Sequence, residues 1–357
     1  MTSPYLEAHG VRIGLWGASG SGKTTYLGSM RTAVTQASKD KVAWTVRGAD
    51  EASVSMLAQW QDTLTGERAF PEGTTSNTPM RWIFQGERQP GGRPIGIQQP
   101  SSRRNDHVQF ALDVLDVPGG LANNQAWLNP QPDEPQPVDD LDFDFEPAEA
   151  GAEAASRSTP LADFVEHLAG CDGILYLLDP VTNDLEDQAF QNFSGLLAQI
   201  EYLVATQNRL RGTRLPHFLA FCVTKFDDPV VLEMALGQDG IQALKGQRPP
   251  IKPTQEDARR CLEMLKYNSA NGGVANVLDA VGHFFLPGHV RYFATSSIGF
   301  RYGPDSRFDP GDYLNTVPQG NKTRIRGSIR PFNVLEPLVW LVSRIREAQR
   351  KSPANGF

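Results

Sequence analysis

The stretch that decides the fold is Gly17-Ala18-Ser19-Gly20-Ser21-Gly22-Lys23-Thr24. It follows an apolar run, 11–16, that is typical of a short buried strand, and it leads into 25–31, which is typical of a helix start. This is the strand–loop–helix context that the pattern G-x-x-x-x-G-K-[ST] requires. Glycines let the backbone curl around an anion, so that successive N–H groups and the helix N-terminus point at one phosphate. The stretch therefore predicts a site for a nucleoside triphosphate.

Each residue type in this loop has a predicted role. Lys23 would reach the β- and γ-phosphates, and the Thr24 hydroxyl would ligate Mg²⁺. The other predicted nucleotide contacts come from the rest of the loop and the residue after it: Gly17, Ser19, Gly20, Ser21, Gly22 and Thr25.

The composition suits a soluble globular protein, with 39% hydrophobic and 21% charged residues in a chain of 357. A net charge of −7 argues against a general nucleic-acid binder. The sequence has no run of 18 apolar residues and no signal-peptide pattern, so we expect a cytoplasmic protein without a membrane anchor. Cys171, Cys222 and Cys261 are far apart, as expected for reduced thiols in a core.

Apolar runs alternate with segments of helical periodicity along most of the chain. The pattern predicts strands at 42–47, 80–84, 108–116, 173–179, 218–223 and 290–295, and helices at 51–66, 160–169, 186–207, 254–267 and 333–349. Such alternation indicates an α/β fold with a doubly wound, mostly parallel sheet and flanking helices. We expect a single domain over 1–357.

Three insertions are expected in this domain: a strand and helix at 40–68, an extended hairpin at 85–105 and an acidic segment at 121–159. Residues 131–156 hold nine acidic residues and no Lys or Arg, which predicts disorder. The acidic segment is either a solvated spacer or a docking segment for a basic partner. The basic stretch 322–330 predicts an edge strand with a solvated face, in preference to a contact with nucleic acid or phospholipid.

Three later motifs bear on which nucleotide is bound. In Asp116-Val117-Pro118-Gly119, at the end of a predicted strand, Asp116 would hold Mg²⁺ through water and the Gly119 N–H would meet the γ-phosphate. In Thr224-Lys225-Phe226-Asp227, the carboxylate of Asp227 can accept hydrogen bonds from guanine N1–H and N2–H₂. Adenine lacks this donor pair, so such a site selects guanine. The Lys225 stem would lie along the base plane.

The third motif, Thr295-Ser296-Ser297-Ile298, follows the last predicted strand, and a backbone N–H at Ser296 or Ser297 could contact guanine O6. Together, the motifs resemble the GTPase branch of P-loop proteins, the Ras-like and translation-factor group. The resemblance implies a loop threonine that ligates Mg²⁺ and senses the γ-phosphate. The candidates are Thr74, Thr75 and Thr78, of which Thr75 and Thr78 lie nearest the following strand.

A finer likeness comes from the strand-plus-helix insert, Gly66 and the run Phe70-Pro71-Glu72-Gly73-Thr74. This arrangement is similar to the bacterial double-GTPase families, which are associated with predicted conflict or defence systems.

Two features depart from the Ras-like pattern. Gly120 stands where Ras-like proteins carry the glutamine that orients the attacking water, which predicts slow hydrolysis unless a partner, a second subunit or Gln125 fills the role. The acidic insertion falls where these proteins have their second switch, and that position would place partner recognition under nucleotide control.

The sequence therefore predicts a Mg²⁺-dependent GTP-binding switch that hydrolyses GTP to GDP slowly and controls a protein partner. Lys23, Thr75, Asp116 and Gly119 are the predicted catalytic residues, and Thr24, Thr75, Thr78 and Asp116 the predicted metal ligands. The main alternative is a non-hydrolysing scaffold that binds guanine nucleotides, and a P-loop kinase or ATPase is less favoured. Ser19 lies near the γ-phosphate position, which leaves open a homodimer that completes the site.

Overall fold

The computed structural model describes residues 10–37, 42–72, 79–88, 107–115, 160–181, 188–268 and 273–351. Seven strands of this part of the chain form one sheet. They are β1 (Arg12–Gly17), β2 (Val42–Gly48), β3 (Pro79–Arg88), β4 (His107–Leu115), β5 (Gly173–Leu178), β6 (Phe218–Val223) and β7 (Val290–Ala294). Two short strands, β8 (Thr316–Gln319) and β9 (Lys322–Ile325), form a separate antiparallel hairpin.

The helices within the described ranges surround the main sheet. They are α1 (Lys23–Ala37), α2 (Glu51–Thr65), α3 (Pro160–Ala169), α4 (Gln188–Thr206), α5 (Pro229–Ala243), α6 (Gln255–Asn268), α7 (Gly273–Phe284) and α8 (Glu336–Lys351). None of the helices in these ranges has the length and apolar character needed to cross a membrane.

The strand order is β2-β3-β4-β1-β5-β6-β7. Strands β4, β1, β5, β6 and β7 are mutually parallel, whereas β3 runs antiparallel to both β2 and β4. This arrangement confirms the expected α/β fold with a doubly wound, mostly parallel sheet and flanking helices. The order reverses beside β1, and the loop after β1 therefore lies at the topological switch point, where ligands bind in such sheets.

The core lies on both faces of the sheet. On one face, Ile13 and Leu15 of β1 pack with residues of α1, α2 and α8. On the other face, Trp16 and Tyr176 pack with α3, α4 and the helices that follow β6. Strands β5 and β6 are buried along their whole length, which explains their uninterrupted apolar sequences.

The chain makes an excursion, residues 297–331, between β7 and α8. An aromatic cluster fills its interior: Phe300 contacts Phe308, and Phe308 stacks on Tyr313 at a centroid distance of 5.2 Å. The hairpin β8–β9 belongs to this excursion, and the Ile325 N–H donates to the Arg68 carbonyl at 2.9 Å. The excursion therefore contacts the segment that follows α2.

Several elements differ from the expected ones. The hairpin strand β3 runs to Arg88, and the last helix begins at Glu336 rather than 333, because Asn333 has a left-handed backbone with φ 51°. Of the basic stretch, Lys322–Ile325 forms the expected edge strand, and it pairs with β8 in the separate hairpin. In α2, Leu57, Trp60 and Leu64 are buried, whereas Val54 is exposed.

The sequence pattern also missed helices α5 and α7. Helix α5 carries a recognisable start, since the Asp228 side chain caps it and Pro229 occupies its first turn. Gly237, with φ 66°, interrupts the helix, so the helical spacing of its apolar residues is broken at this point.

Candidate functional site

The loop 17–24, called the glycine loop from here on, joins the end of β1 to the start of α1. Gly20 and Gly22 adopt left-handed backbones with φ 77° and φ 86°, which side-chain-bearing residues rarely adopt. The Ser21 N–H donates to the Ala18 carbonyl at 3.2 Å and closes the turn. The loop therefore has the curled backbone at a helix N-terminus that suits an anion.

Lys23 and Gly17 complete the geometry of the glycine loop. The Lys23 ammonium donates to the carbonyls of Gly17 and Ala18 at 2.8 Å and 3.0 Å, so its charge lies against the loop. A Cβ on Gly17 would lie 2.5 Å from Ser21 Oγ and 2.8 Å from the Leu177 carbonyl. Only glycine fits at this position, because β1 and β5 approach closely there.

The other candidate residues of the glycine loop differ in exposure. Ser19 and Gly20 are exposed, Thr24 and Thr25 are half-buried, and Ser21 is buried. Within the described residues, the Ser21 hydroxyl has no hydrogen-bond partner.

The loop 224–227, called the lysine loop, follows β6 at the same edge of the sheet. The Thr224 hydroxyl is buried and lies 3.2 Å from the Ser21 carbonyl and 2.9 Å from the Leu178 carbonyl. Thr224 therefore joins the lysine loop to the glycine loop, so the structure brings two of the predicted motifs together.

Lys225 has a left-handed backbone with φ 53°, and its ammonium lies 2.5 Å from Asp179 Oδ2. Asp179 directly follows β5 and is buried, and its other carboxylate oxygen accepts the Val181 N–H at 2.9 Å. Asp179 ends the predicted strand 173–179, but its sequence context predicts no role for it. The available signal was a carboxylate at the end of an uninterrupted apolar run.

Asp227 is 6% exposed, and its carboxylate accepts a hydrogen bond from the Ser296 hydroxyl. Burial raises the pKa of Asp227 to about 6, against the opposing effect of the Ser296 hydrogen bond. Burial without a full set of donors disfavours the ionised form. A ligand that supplied two N–H donors here would therefore favour the carboxylate.

Ser296 belongs to the loop 295–299, called the serine loop, which follows β7. Its hydroxyl oxygen accepts the Gly299 N–H at 2.8 Å, and its own N–H donates to the Phe332 carbonyl at 3.2 Å. The Phe226 N–H donates to the Thr295 carbonyl at 3.1 Å, so the lysine and serine loops are also joined. Ser297 is half-buried in this loop.

The remaining predicted residues lie outside the described part of the chain. These are the switch threonine candidates Thr74, Thr75 and Thr78, the turn residues Asp116, Gly119 and Gly120, and Gln125 with the whole segment 121–159. Strand β4, which Asp116 follows, pairs in parallel with β1. Both strands therefore end at the edge that carries the glycine loop.

The donor set expected for a metal is made of hydroxyl and carboxylate oxygens, which suit Mg²⁺. Of the four candidate ligands only Thr24 is described, and it lies in the first turn of α1 beside Lys23. Across the described ranges, no group of three or more His, Cys, Asp or Glu side chains is arranged to hold a metal ion.

No protein-family model matches the sequence, and no curated protein matches it. One solved structure to which the chain is similar is the signal recognition particle receptor SRb-GTP/SRX complex from Chaetomium thermophilum. The sequence identity is 14%, over 83% of this chain and 94% of that chain, and the TM-score is 0.30.

Proposed function

We propose that this protein is a Mg²⁺-dependent GTP-binding switch that hydrolyses GTP to GDP slowly and controls a protein partner. The observation that carries the proposal is the joining of the glycine and lysine loops through Thr224, with Asp227 buried beside them. The first loop has the backbone of a phosphate site, and the second presents a carboxylate that complements guanine.

Guanine selection would come from Asp227, whose carboxylate can accept N1–H and N2–H₂ together. The Ser296 N–H is already donated to Phe332, so the guanine O6 would be met by the next backbone N–H, that of Ser297. Lys225 would lie along the base, and Asp179 would hold its ammonium.

At the phosphate end, Lys23 would exchange its two carbonyl acceptors for phosphate oxygens, and the glycine-loop N–H groups would surround the β-phosphate. Thr24, Asp116 and one of the threonines 75 and 78 would hold Mg²⁺, and Gly119 would meet the γ-phosphate. Bound Mg²⁺ would neutralise charge on the β- and γ-phosphates. In hydrolysis, water attacks the γ-phosphorus and the bond to the β–γ bridging oxygen breaks, giving GDP and phosphate.

The test is equilibrium binding of GTP, XTP and ATP to the wild type and to Asp227→Asn. We expect the wild type to prefer GTP and the variant to lose GTP affinity by about 100-fold or more, because two hydrogen bonds to a charged acceptor are altered. XTP binding should improve in the variant, since the new amide N–H₂ faces the 2-oxo group of xanthine.

Asp228→Asn is a matched control for this test. Asp228 neighbours Asp227 and caps α5 through the Val230 N–H, and asparagine caps helices equally well. This variant should keep the wild-type preference. Equal binding of GTP and ATP by the wild type would contradict the proposal and indicate a P-loop ATPase or kinase.

Gly120 favours the alternative of a non-hydrolysing guanine-nucleotide scaffold, because glycine cannot orient water with a side chain. Single-turnover phosphate release separates the two functions. We expect a rate near the ~10⁻⁴ s⁻¹ of unassisted Ras-like hydrolysis. A rate at or above ~1 s⁻¹ would refute slow hydrolysis, and no release even with a partner would favour the scaffold.

Control of a partner would act through the acidic segment 121–159, which follows the predicted Mg²⁺ residue Asp116 in the sequence. We expect its sensitivity to limited proteolysis to differ between the GDP-bound and GTP-analogue-bound protein. Equal sensitivity in both states would contradict nucleotide control of this segment.

A further inference from the structure

The chain leaves the serine loop, runs through the excursion 297–331, and comes back beside the serine loop just before α8 begins. The returning residues 330–334, called the return segment, run alongside the serine loop. The Phe332 N–H donates to the Ser296 carbonyl at 3.0 Å, and the Arg330 N–H donates to the Ile298 carbonyl at 2.8 Å. Together with the Ser296 N–H bond to Phe332, two backbone hydrogen bonds hold Ser296, the residue that contacts Asp227, and the Arg330 bond holds Ile298 in the same loop.

Asn333 anchors the return segment to two other elements. Its side-chain amide nitrogen lies 2.8 Å from the Ala294 carbonyl, at the end of β7, and 2.8 Å from the Pro253 carbonyl, just before α6. An asparagine amide has two N–H donors, so both bonds can form at once. Its left-handed backbone, φ 51°, turns the chain from the serine loop into α8.

The next residue of the return segment contacts the helix of the glycine loop. The Tyr26 hydroxyl, buried in the first turns of α1, donates to the Val334 carbonyl. The return segment therefore touches both ends of the candidate nucleotide site, the base end through Ser296 and the phosphate end through Tyr26.

We propose that Asn333 is a positioning residue for guanine recognition, acting by fixing the return segment against which Ser296 and the Asp227 carboxylate are aligned. This inference rests on the proposed function. Asn333 does not contact Asp227; it acts through Phe332 and Ser296. Hydrogen bonds weaken steeply when their angle changes, so a small displacement of Ser296 would misalign the carboxylate with the base.

The test is Asn333→Gly, which keeps the left-handed backbone accessible and removes both amide hydrogen bonds. Kd values are measured for GDP, IDP and ADP. Inosine lacks the 2-amino group, so the GDP-to-IDP affinity ratio (Kd of IDP divided by Kd of GDP) reports the hydrogen bond from that group to Asp227 and not the contacts to phosphate. We expect that ratio to fall about tenfold in the variant, with ADP affinity unchanged within about twofold.

Asn208→Gly is the matched control. Asn208 also has a left-handed backbone, φ 54°, but it is exposed in the turn after α4. This variant should keep the wild-type ratio. Asn333→Asp is a second variant in which a carboxylate oxygen faces the two carbonyls, and it should lower the ratio further.

The outcomes separate the two proposals. A wild type that does not prefer GDP over ADP would refute the proposed function itself. A wild type with the preference, together with an Asn333→Gly variant that melts at a lower temperature but keeps the full GDP-to-IDP ratio, would overturn the positioning role alone.

Discussion

The phosphate end and the base end of the candidate site are built in different ways. The glycine loop is formed by neighbours in sequence, with left-handed Gly20 and Gly22 and a turn closed by Ser21 and Ala18. The base end is assembled from residues far apart in sequence, such as Asp227, Ser296 and Phe332. The first end is open around Gly20 and Gly22, whereas Asp227 and Ser296 at the second end are buried and held by side-chain and backbone hydrogen bonds. Local backbone geometry therefore makes one end, and tertiary packing makes the other.

The largest contrast should come from one substitution, glycine to alanine, made at each end. At Gly299, a Cβ would lie 1.9 Å from the Arg330 carbonyl, and φ is 67°. We expect Gly299→Ala to lower the free energy of unfolding by about 3 kcal/mol or more, because backbone must move. At Gly20, no described atom lies within 4 Å of the added Cβ, so Gly20→Ala should cost only about 1 kcal/mol.

Urea denaturation of both variants checks this contrast. Equal losses would show that the two ends are packed alike.

Lys23→Ala should weaken the phosphate end without changing base preference. The Lys23 ammonium contacts the carbonyls of Gly17 and Ala18, in the loop that would bind phosphates. We expect affinity for GTP and for ITP to fall together, each by about 100-fold, because a charge-assisted contact to phosphate is lost.

Titration with both nucleotides measures the change, with the exposed Lys245→Ala as the control. A large fall in the GTP-to-ITP affinity ratio of Lys23→Ala would mean that the phosphate end and the base end do not act independently.

A change of pH should affect the base end selectively. Burial raises the pKa of Asp227 to about 6. The proposed pairing with guanine N1–H and N2–H₂ would require the ionised carboxylate. As the pH falls from 7 to 5, the carboxyl becomes protonated and GDP affinity should drop about tenfold, since affinity then follows the ionised fraction.

Asp227→Asn, measured in parallel, reports the titration of the GDP phosphates, and the pH effect should be smaller in it. Identical pH profiles of the wild type and Asp227→Asn would contradict a buried carboxylate acceptor.

The stability of the unliganded protein should depend on pH in the opposite direction to GDP affinity. The pKa of Asp227 in the folded protein, about 6, exceeds the usual 3.8. Asp227 therefore contributes stability below pH 3.8, and this contribution is lost as the pH rises through about 6.

The smallest expected effect is that of Asp179→Asn. Asp179 holds the Lys225 ammonium, but the Lys225 side chain is 44% exposed, so solvent screens the pair. We expect GTP affinity to fall about threefold, through looser placement of Lys225 along the base.

The exposed Asp239→Asn is the control and should leave GTP affinity unchanged. A loss in Asp179→Asn as large as that in Asp227→Asn would give Asp179 a direct role in base recognition.

The same contrast explains what could be predicted from sequence. The glycine loop was identifiable because its spacing of glycines, lysine and threonine is local, and the strands β5 and β6 because burial on both faces makes them uniformly apolar. Asp227 was identifiable because it follows a buried strand at a fixed spacing from Lys225.

The support of the base end could not be predicted in the same way. Asn333 lies 37 positions after Ser296 in the sequence, as their residue numbers show. No local pattern connects an asparagine before a helix to carbonyls at 253 and 294. Its left-handed backbone also shifted the start of α8 away from the position that periodicity predicted.

The paired ends of the excursion have a consequence for changes in its length. Since Ser296 and Phe332 are bonded to each other in both directions, the chain between them starts and finishes at one point of the fold. The free energy of closing such a loop grows only with the logarithm of its length. We therefore expect that insertions and deletions at the tip of the β8–β9 hairpin would leave the geometry of the base end unchanged.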